Sequence, residues 1–347
     1  MWRFRRGDSA QSLVIILALL NEIRVTRKIG RAADRIGVSY RHAWNLIETW
    51  SRFFEAPLVE RKQGRGTSLT PLGAKLASAG QRLETRLGPQ LQNLSEELET
   101  EINQLLPHGP PIIRIHASDG FAVSKLKDLL SREANLGIDL RYVSNQSSLA
   151  SLAHDECDLA GLRVPHGSLR ESAIAAAKKW LTPNVYRVIS LVTREMGLMV
   201  KRGNPLGVVS VEQLLEPGVR FVNRDPDSGA RWLFDQLLAQ QGLDGSRING
   251  YAQMESTHVA VAAYVASDMA DVSFGVEAAA RQFDLDFVRL VTEDCFFVCR
   301  KQLLELEPMK RVLAVVRSSE FRDAISVLPG YRCKDVGAIK TIREAFQ

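Results

Sequence analysis

Residues 29–47 read Ile29-Gly-Arg-Ala-Ala-Asp-Arg-Ile-Gly-Val-Ser-Tyr-Arg-His-Ala-Trp-Asn-Leu-Ile47, two short helical patterns on either side of a tight turn. In the first, Ala32, Ala33 and Ile36 place small or apolar side chains on one face. Gly37 then supplies a residue able to adopt the left-handed conformation that ends a helix. Ser39 can cap the second helix, in which Ala43, Leu46, Ile47 and Trp50 recur at helical spacing. Two such helices crossing closely form a helix-turn-helix. Downstream, Leu58-Val-Glu-Arg-Lys-Gln-Gly-Arg-Gly-Thr-Ser-Leu-Thr70 reads as strand, glycine-rich turn and strand. It is a hairpin wing, with Arg61, Lys62 and Arg65 around its glycines.

Upstream, the pattern is helical from Ser12 to about Ile23. Arg3, Arg5 and Arg6 ahead of the apolar run Leu13–Leu20 imitate a secretion leader. That run is too short to span a bilayer and passes into Asn21-Glu-Ile-Arg24 without a small-residue cleavage site, so a folded first helix in a cytoplasmic protein is expected. Charge is unevenly placed. Residues 1–82 hold fifteen Lys and Arg against six Asp and Glu, whereas the rest holds thirty against thirty-four. A basic head on a slightly acidic body suits a polyanion-binding module joined to a sensor or an enzyme. Cys157, Cys295, Cys299 and Cys333 form no CxxC pair, and Cys295 and Cys299 share one face of an apolar strand as small buried thiols.

Beyond the wing, Pro71 opens a long helical stretch bearing Leu72, Leu76, Leu83, Leu87, Leu91, Leu94, Leu98, Ile102 and Leu105. Pro89 predicts a kink or break near Gly88. The apolar stripe reads as a linker and dimerisation element, or as packing against the head. Pro107-His-Gly-Pro-Pro111 closes it. From there strands and helices alternate, starting with Ile112–Ala117, a helix from Gly120, Ile138–Val143, Ser147–His154 and Asp158–Arg163. Such alternation predicts parallel sheet covered by helices, with ligands bound past the carboxyl ends of strands.

A recognition helix needs polar side chains at its exposed N-terminal end, and Ser39, Tyr40, Arg41, His42 and Asn45 stand there. Arg and Asn are the residue types that pair with guanine and adenine edges. Arg61, Lys62 and Arg65 would meet phosphates or the minor groove. Trp44, flanked by apolar positions, reads as core ahead of DNA contact. At these residues, and at Leu58-Val-Glu-Arg61 and Leu69-Thr-Pro-Leu-Gly73, the chain resembles the N-terminal domain of ModE-type and LysR-type transcriptional regulators. The stretch Ser39-Tyr-x-x-Ala-Trp44 lies closer to the ModE side. The resemblance covers roughly residues 12–106. It implies a homodimer, or a dimer of dimers, reading a double-stranded DNA operator.

Ser118 and Asp119 follow the first strand of the second part, Ser147 and Ser148 start its next helix, Ser228 and Gly229 another, and Thr257 and His258 a fourth. Free N–H groups and hydroxyls at helix starts favour an anion, with Arg224 or Arg231 as counter-charge. The same residues are also ordinary caps. Ser118-Asp-Gly120, Asn223-Arg-Asp-Pro-Asp-Ser-Gly-Ala-Arg231 and Glu255-Ser-Thr-His258, leading to Ala270–Gly275, are similar to the periplasmic-binding-protein-like domain of some one-component regulators. This covers nearly all of the remaining chain, which departs from that family at Asp225 and Asp227. Crossing strands near Glu195–Val200 and Cys295–Arg300 would hinge two lobes.

The expected architecture is therefore α/β: a winged helix-turn-helix over 1–70, a linker and dimerisation helix over 71–110, and a two-lobed periplasmic-binding-protein-like α/β domain over 111–347. Lobe I takes about 111–196 and 296–347, and lobe II about 197–295. The expected function is a one-component transcriptional regulator sensing a small ligand. The resemblance points to an anion such as molybdate, tungstate, formate or another small carboxylate, or to a molybdopterin-related compound, and to control of a molybdoenzyme operon. A constitutive DNA binder with a vestigial sensor and an enzyme tethered to DNA are the rivals. No metal-ligand spacing, nucleotide loop or nucleophile elbow is present, so no cofactor, metal or catalysis is expected, and no membrane partner. Asp155, Glu156 and Asp158 read as a solvated helix end.

Overall fold

The computed structural model describes residues 3–6, 9–12, 14–62, 66–105, 111–133 and 136–346. The chain divides into two compact units, Met1–Gly88 and Pro89–Gln347. No helix among the described residues is long and apolar enough to cross a membrane.

The first unit opens on an antiparallel pair, β1 (Arg3–Arg6) and β2 (Ser9–Ser12), so helix α1 (Val14–Thr26) begins two residues after Ser12. The helical pattern expected from Ser12 overlooked this pair, although Gly7-Asp8 between two short segments is itself a hairpin signal. Helices α2 (Ile29–Arg35) and α3 (Tyr40–Phe54) form the helix-turn-helix. Gly37 has φ 71°, and the Gly37 and Val38 N–H groups donate back to the carbonyls of Asp34 and Ala33, closing α2. The Ser39 hydroxyl accepts from the His42 N–H at 3.2 Å, capping α3. Ala43, Ile47 and Trp50 are buried against α1 and α2, and Trp44 is half-buried on the same core, as its apolar flanks suggested.

Strands β3 (Val59–Lys62) and β4 (Gly66–Leu69) pair antiparallel as the wing. Helix α4 runs without interruption from Pro71 to Leu105. The expected break at Pro89 does not occur. A proline removes only one N–H from the ladder, and the helix on both sides carries it through. Leu72, Leu76, Ala77 and Leu83 pack into the head's core, whereas Leu91, Leu94, Leu98 and Ile102 are exposed. The packing reading therefore holds over the first half of the stripe, and the second half is an exposed apolar face.

In the second unit the order is β5 (Ile112–Ala117), α5 (Phe121–Leu130), β6 (Gly137–Tyr142), α6 (Asn145–Ala153), β7 (Leu159–Pro165), α7 (Arg170–Lys178) and β8 (Tyr186–Val200). Next come β9 (Phe221–Arg224), α8 (Gly229–Gln240), β10 (Met254–Glu255), α9 (His258–Ala266), β11 (Val272–Val276), α10 (Glu277–Gln282) and β12 (Asp286–Arg300). The C-terminal part adds α11 (Glu307–Arg317), α12 (Ser319–Ser326), β13 (Tyr331–Arg332), β14 (Ile339–Thr341) and α13 (Ile342–Ala345).

Ten strands join in the order β10-β9-β11-β8-β12-β7-β5-β6, with β13 and β14 also on β8. β8 and β12 pair antiparallel along their whole length, from Tyr186 with Arg300 to Val200 with Asp286. Their early and late halves serve different partners. β12 meets β7 over Glu293–Val298, while β8 meets β11 over Met196–Val200. Two lobes are thus hung on one two-stranded crossing, longer than the short segments expected from sequence. Gly197 sits in it where an added Cβ would lie 2.0 Å from the Val288 carbonyl oxygen, next to a bulge in β12. In each lobe the first strand is central: β5 lies between β6 and β7, and β9 between β10 and β11, all parallel. Strand order therefore reverses beside β5 and beside β9, and the carboxyl ends there are where such sheets hold ligands.

Candidate functional site

In the head, Ser39, Tyr40, Arg41, His42 and Asn45 are all exposed along the start of α3. The buried face carries Ala43, Ile47 and Trp50, so helical periodicity alone turns the five polar residues outward. Arg61 and Lys62 stand in β3 opposite Thr67 and Gly66. Arg65 lies outside the described residues.

In the second unit the carboxyl ends of the central strands and their neighbours gather an arginine cluster. Ser118, Asp119 and Gly120 follow β5, Arg163 lies near the end of β7, and Arg224 ends β9. Thr257 and His258 follow β10, and Arg194 stands on the crossing strand β8. Arg163 Nη2 donates to the carbonyls of Ser118 and Asp119 at 2.8 and 2.7 Å. Arg194 donates from Nε and Nη2 to Glu293 Oε2 at 2.9 and 2.7 Å. An ideal Cβ on Gly120, the N-cap of α5, would lie 2.9 Å from Arg163 Nη2 and 3.6 Å from Arg194 Nη1. Only a glycine lets both guanidinium groups come so close to that helix start.

Arg224 donates from Nη2 to the Ser256 carbonyl at 2.8 Å, yet its buried Nε and Nη1 have no hydrogen-bond partner among the described residues. Both ring nitrogens of His258 are buried without one as well. Burial pushes the Arg224 guanidinium down to about 10, with Asp119 opposing and Arg163 and Arg194 adding to the shift. Burial also lowers Arg163, helped by the charge of Arg194. Burial acts against the charge of Arg194 too, but Glu293, Cys295 and Tyr331 together outweigh it and raise that group. Asp119 and Asp225 oppose Arg224, and Glu293 pairs with Arg194, so what this cluster leaves over is buried hydrogen-bond donors on Arg224 rather than net charge. Buried donors left unused are costly unless an acceptor such as an anion joins them.

Burial, then Arg224, Arg194 and Arg163, hold the His258 imidazole well below its ordinary value. It stays neutral in the fold, whereas in the unfolded chain it takes up a proton as the pH falls through about 6.5. Stability from this group is therefore complete above that pH and declines below it, by about 2 kcal/mol between pH 7 and pH 5. Urea unfolding at the two pH values measures this. His258→Asn should flatten the dependence by that amount, and an unchanged slope would refute the assignment.

Several residues expected in the cleft are engaged elsewhere. Helix α6 starts at Asn145, capped by Ser144, rather than at Ser147. Ser147 is exposed, with its hydroxyl 2.9 Å from that of Ser144. The buried Ser148 hydroxyl lies 2.9 and 2.7 Å from the carbonyls of Asn145 and Gly161, its one proton shared between them, and ties α6 to β7. Arg231 pairs with Asp235 at 2.9 Å and stacks on Tyr251, whereas Arg224 keeps two buried nitrogens without a partner among the described residues. Ser118 precedes the α5 cap, which is Gly120, and lines the small space beside the arginines. Ser228 and Thr257 do cap α8 and α9, accepting from the Arg231 and Ala260 N–H groups, with Gly229 next in line. Sequence reading passed over Arg163 and Arg194. Their signal was a charged residue inside an otherwise apolar strand, as in Leu159-Ala-Gly-Leu-Arg163.

A family model described as "PBP superfamily domain" matches residues 127–317. The uncharacterized protein YvgK of Bacillus subtilis is 28% identical over 249 residues, 71% of this chain and 79% of that protein. A probable RuBisCO transcriptional regulator of Porphyra purpurea is 25% identical, covering 78% of this chain and 81% of its own length. The molybdenum transport protein ModE of Herbaspirillum seropedicae is 38% identical over 92 residues, 25% of this chain and 33% of that protein. A solved structure of a Corynebacterium glutamicum OxyR mutant aligns at TM-score 0.44 and 13% identity over 91% of this chain and 94% of that one. The chain belongs to the PBP superfamily, and that domain follows the winged helix-turn-helix in sequence.

Proposed function

We propose that this chain is a one-component transcriptional regulator in which the winged head binds an operator in duplex DNA and the two-lobed domain senses a small anion. The observation that carries the sensing half is Arg224. Its unused buried donors stand with Arg163, Arg194 and His258 where strands of both lobes end. An anion there gains hydrogen bonds from each lobe and favours their closed arrangement, so binding and lobe closure share one free energy. Relatives named for molybdenum transport and molybdenum-pterin binding support an effector linked to molybdenum, such as molybdate, tungstate or a small carboxylate like formate. The test is thermal unfolding against such a panel, followed by DNA binding with and without the stabilising anion. An anion at roughly 100 times its dissociation constant adds about 2.7 kcal/mol. DNA affinity indifferent to every stabilising anion would instead describe a constitutive binder, and turnover of the bound compound an enzyme.

The exposed stripe Leu91, Leu94, Leu98 and Ile102 belongs in this reading to a subunit interface. Leu94→Asp with Leu98→Asp should convert dimers to monomers in sedimentation. A double variant that stays dimeric removes α4 from the interface.

A further inference from the structure

Beside the arginines lies a second cavity, of about 190 Å³. Arg163 and Leu162 line both this cavity and the small space by Gly120, so one guanidinium serves the two. Its walls hold an indole from each lobe. Trp180, just past α7, packs on the core of the first lobe, and Trp232, on α8, packs on the main core. Between them α7 presents only the small Ala173, Ala176 and Ala177, which is what keeps the space open. Ser144, Asn145, Gln146, Asp227 and Ser228 complete the lining, so the space is part apolar and part polar, and about 150 Å³ is room enough for a benzene ring. A bare tetrahedral oxyanion is far smaller than the cavity and has no use for two indoles, whose faces stack on flat rings.

We infer that the effector is an organic anion: a carboxylate or phosphate held at Arg163, the one arginine of the cluster that lines the cavity, carrying a flat aromatic body that fills the space between Trp180 and Trp232. This rests on the reading of the cleft as an anion site and sets an aryl anion in place of molybdate, tungstate or formate as its effector. The arginines supply charge recognition, and the cavity supplies most of the discrimination among anions with the same head group.

The test titrates the full chain with benzoate and phenyl phosphate, and with formate, inorganic phosphate and molybdate as head-group controls, by calorimetry and tryptophan fluorescence. Burying a phenyl ring predicts about a hundredfold tighter binding of each aryl anion than of its bare head group. The benzoate and phenyl phosphate arms tell the two head groups apart. Ala176→Trp, from a half-exposed position on α7, should fill the cavity and erase this difference while leaving bare-anion affinity unchanged. Should that variant not fold, Trp232→Ala should reduce the aryl preference about tenfold without affecting formate or phosphate. Bare and aryl anions binding equally, with both sensitive to Arg224→Gln, would overturn the aromatic inference and leave the anion site intact. No binding by any anion, or binding indifferent to Arg224→Gln, would overturn the anion site itself.

Discussion

Arg224→Met raises the stability of the ligand-free chain by on the order of 1–3 kcal/mol and abolishes its stabilisation by anions. The two effects have opposite sign because they have one cause. The guanidinium is fully buried, burial pushes it down to about 10, and two of its nitrogens have no hydrogen-bond partner among the described residues. Each unit of such a shift corresponds to about 1.4 kcal/mol of penalty on the charged form. The depressed value means that the penalty is present in full at neutral pH and fades only as the pH rises through about 10. Methionine removes it and fills similar space. Against this stands one lost hydrogen bond, to the Ser256 carbonyl, at about 1 kcal/mol. Denaturant unfolding with and without a stabilising anion checks both parts. A variant less stable than the parent, yet still stabilised by the anion, would show Arg224 to be a structural residue.

Arg41→Ala weakens operator binding by about 1–3 kcal/mol per subunit and relaxes sequence preference at the position it reads, so a dimer loses twice that. Arg41 is exposed one residue into α3, beside Tyr40 and His42, where a recognition helix meets base edges. Lys62→Ala in the wing should act differently. A phosphate contact weakens all sequences alike and reduces the salt slope by about one unit. Binding isotherms on specific and scrambled duplexes at several salt concentrations separate the two. If neither variant changes affinity in dilute salt, the head does not read DNA through this face.

Much of the head was legible because its signals are local. Gly37, Ser39 and the spacing of Ala43, Ile47 and Trp50 each act within one or two helical turns, and each does in the structure what its chemistry suggested. At Pro89 the break, one of the two outcomes its chemistry allows, was outweighed by the long helix around it. In the second unit the alternation of strands and helices was visible, and β5 falls at its expected residues. The C-terminal elements from α11 to α13 left no comparable mark. Among the residues expected in the cleft, Ser118, Arg224, Gly229 and His258 stand at strand and helix ends, where the alternation placed them. Ser148 and Arg231 have the same residue chemistry but turn to other partners.

What the sequence determined by itself is the series of elements and the sign of charge on each part, because periodicity, caps and composition act over short stretches. What only the tertiary structure decided is which charged residues form the cleft. Arg194 finds Glu293 across 99 positions, and Arg163 reaches Ser118 across 45, through strand pairings that no local pattern specifies. Whether a buried arginine is satisfied or left with donors to offer depends on those distant partners, and that difference separates Arg231 from Arg224.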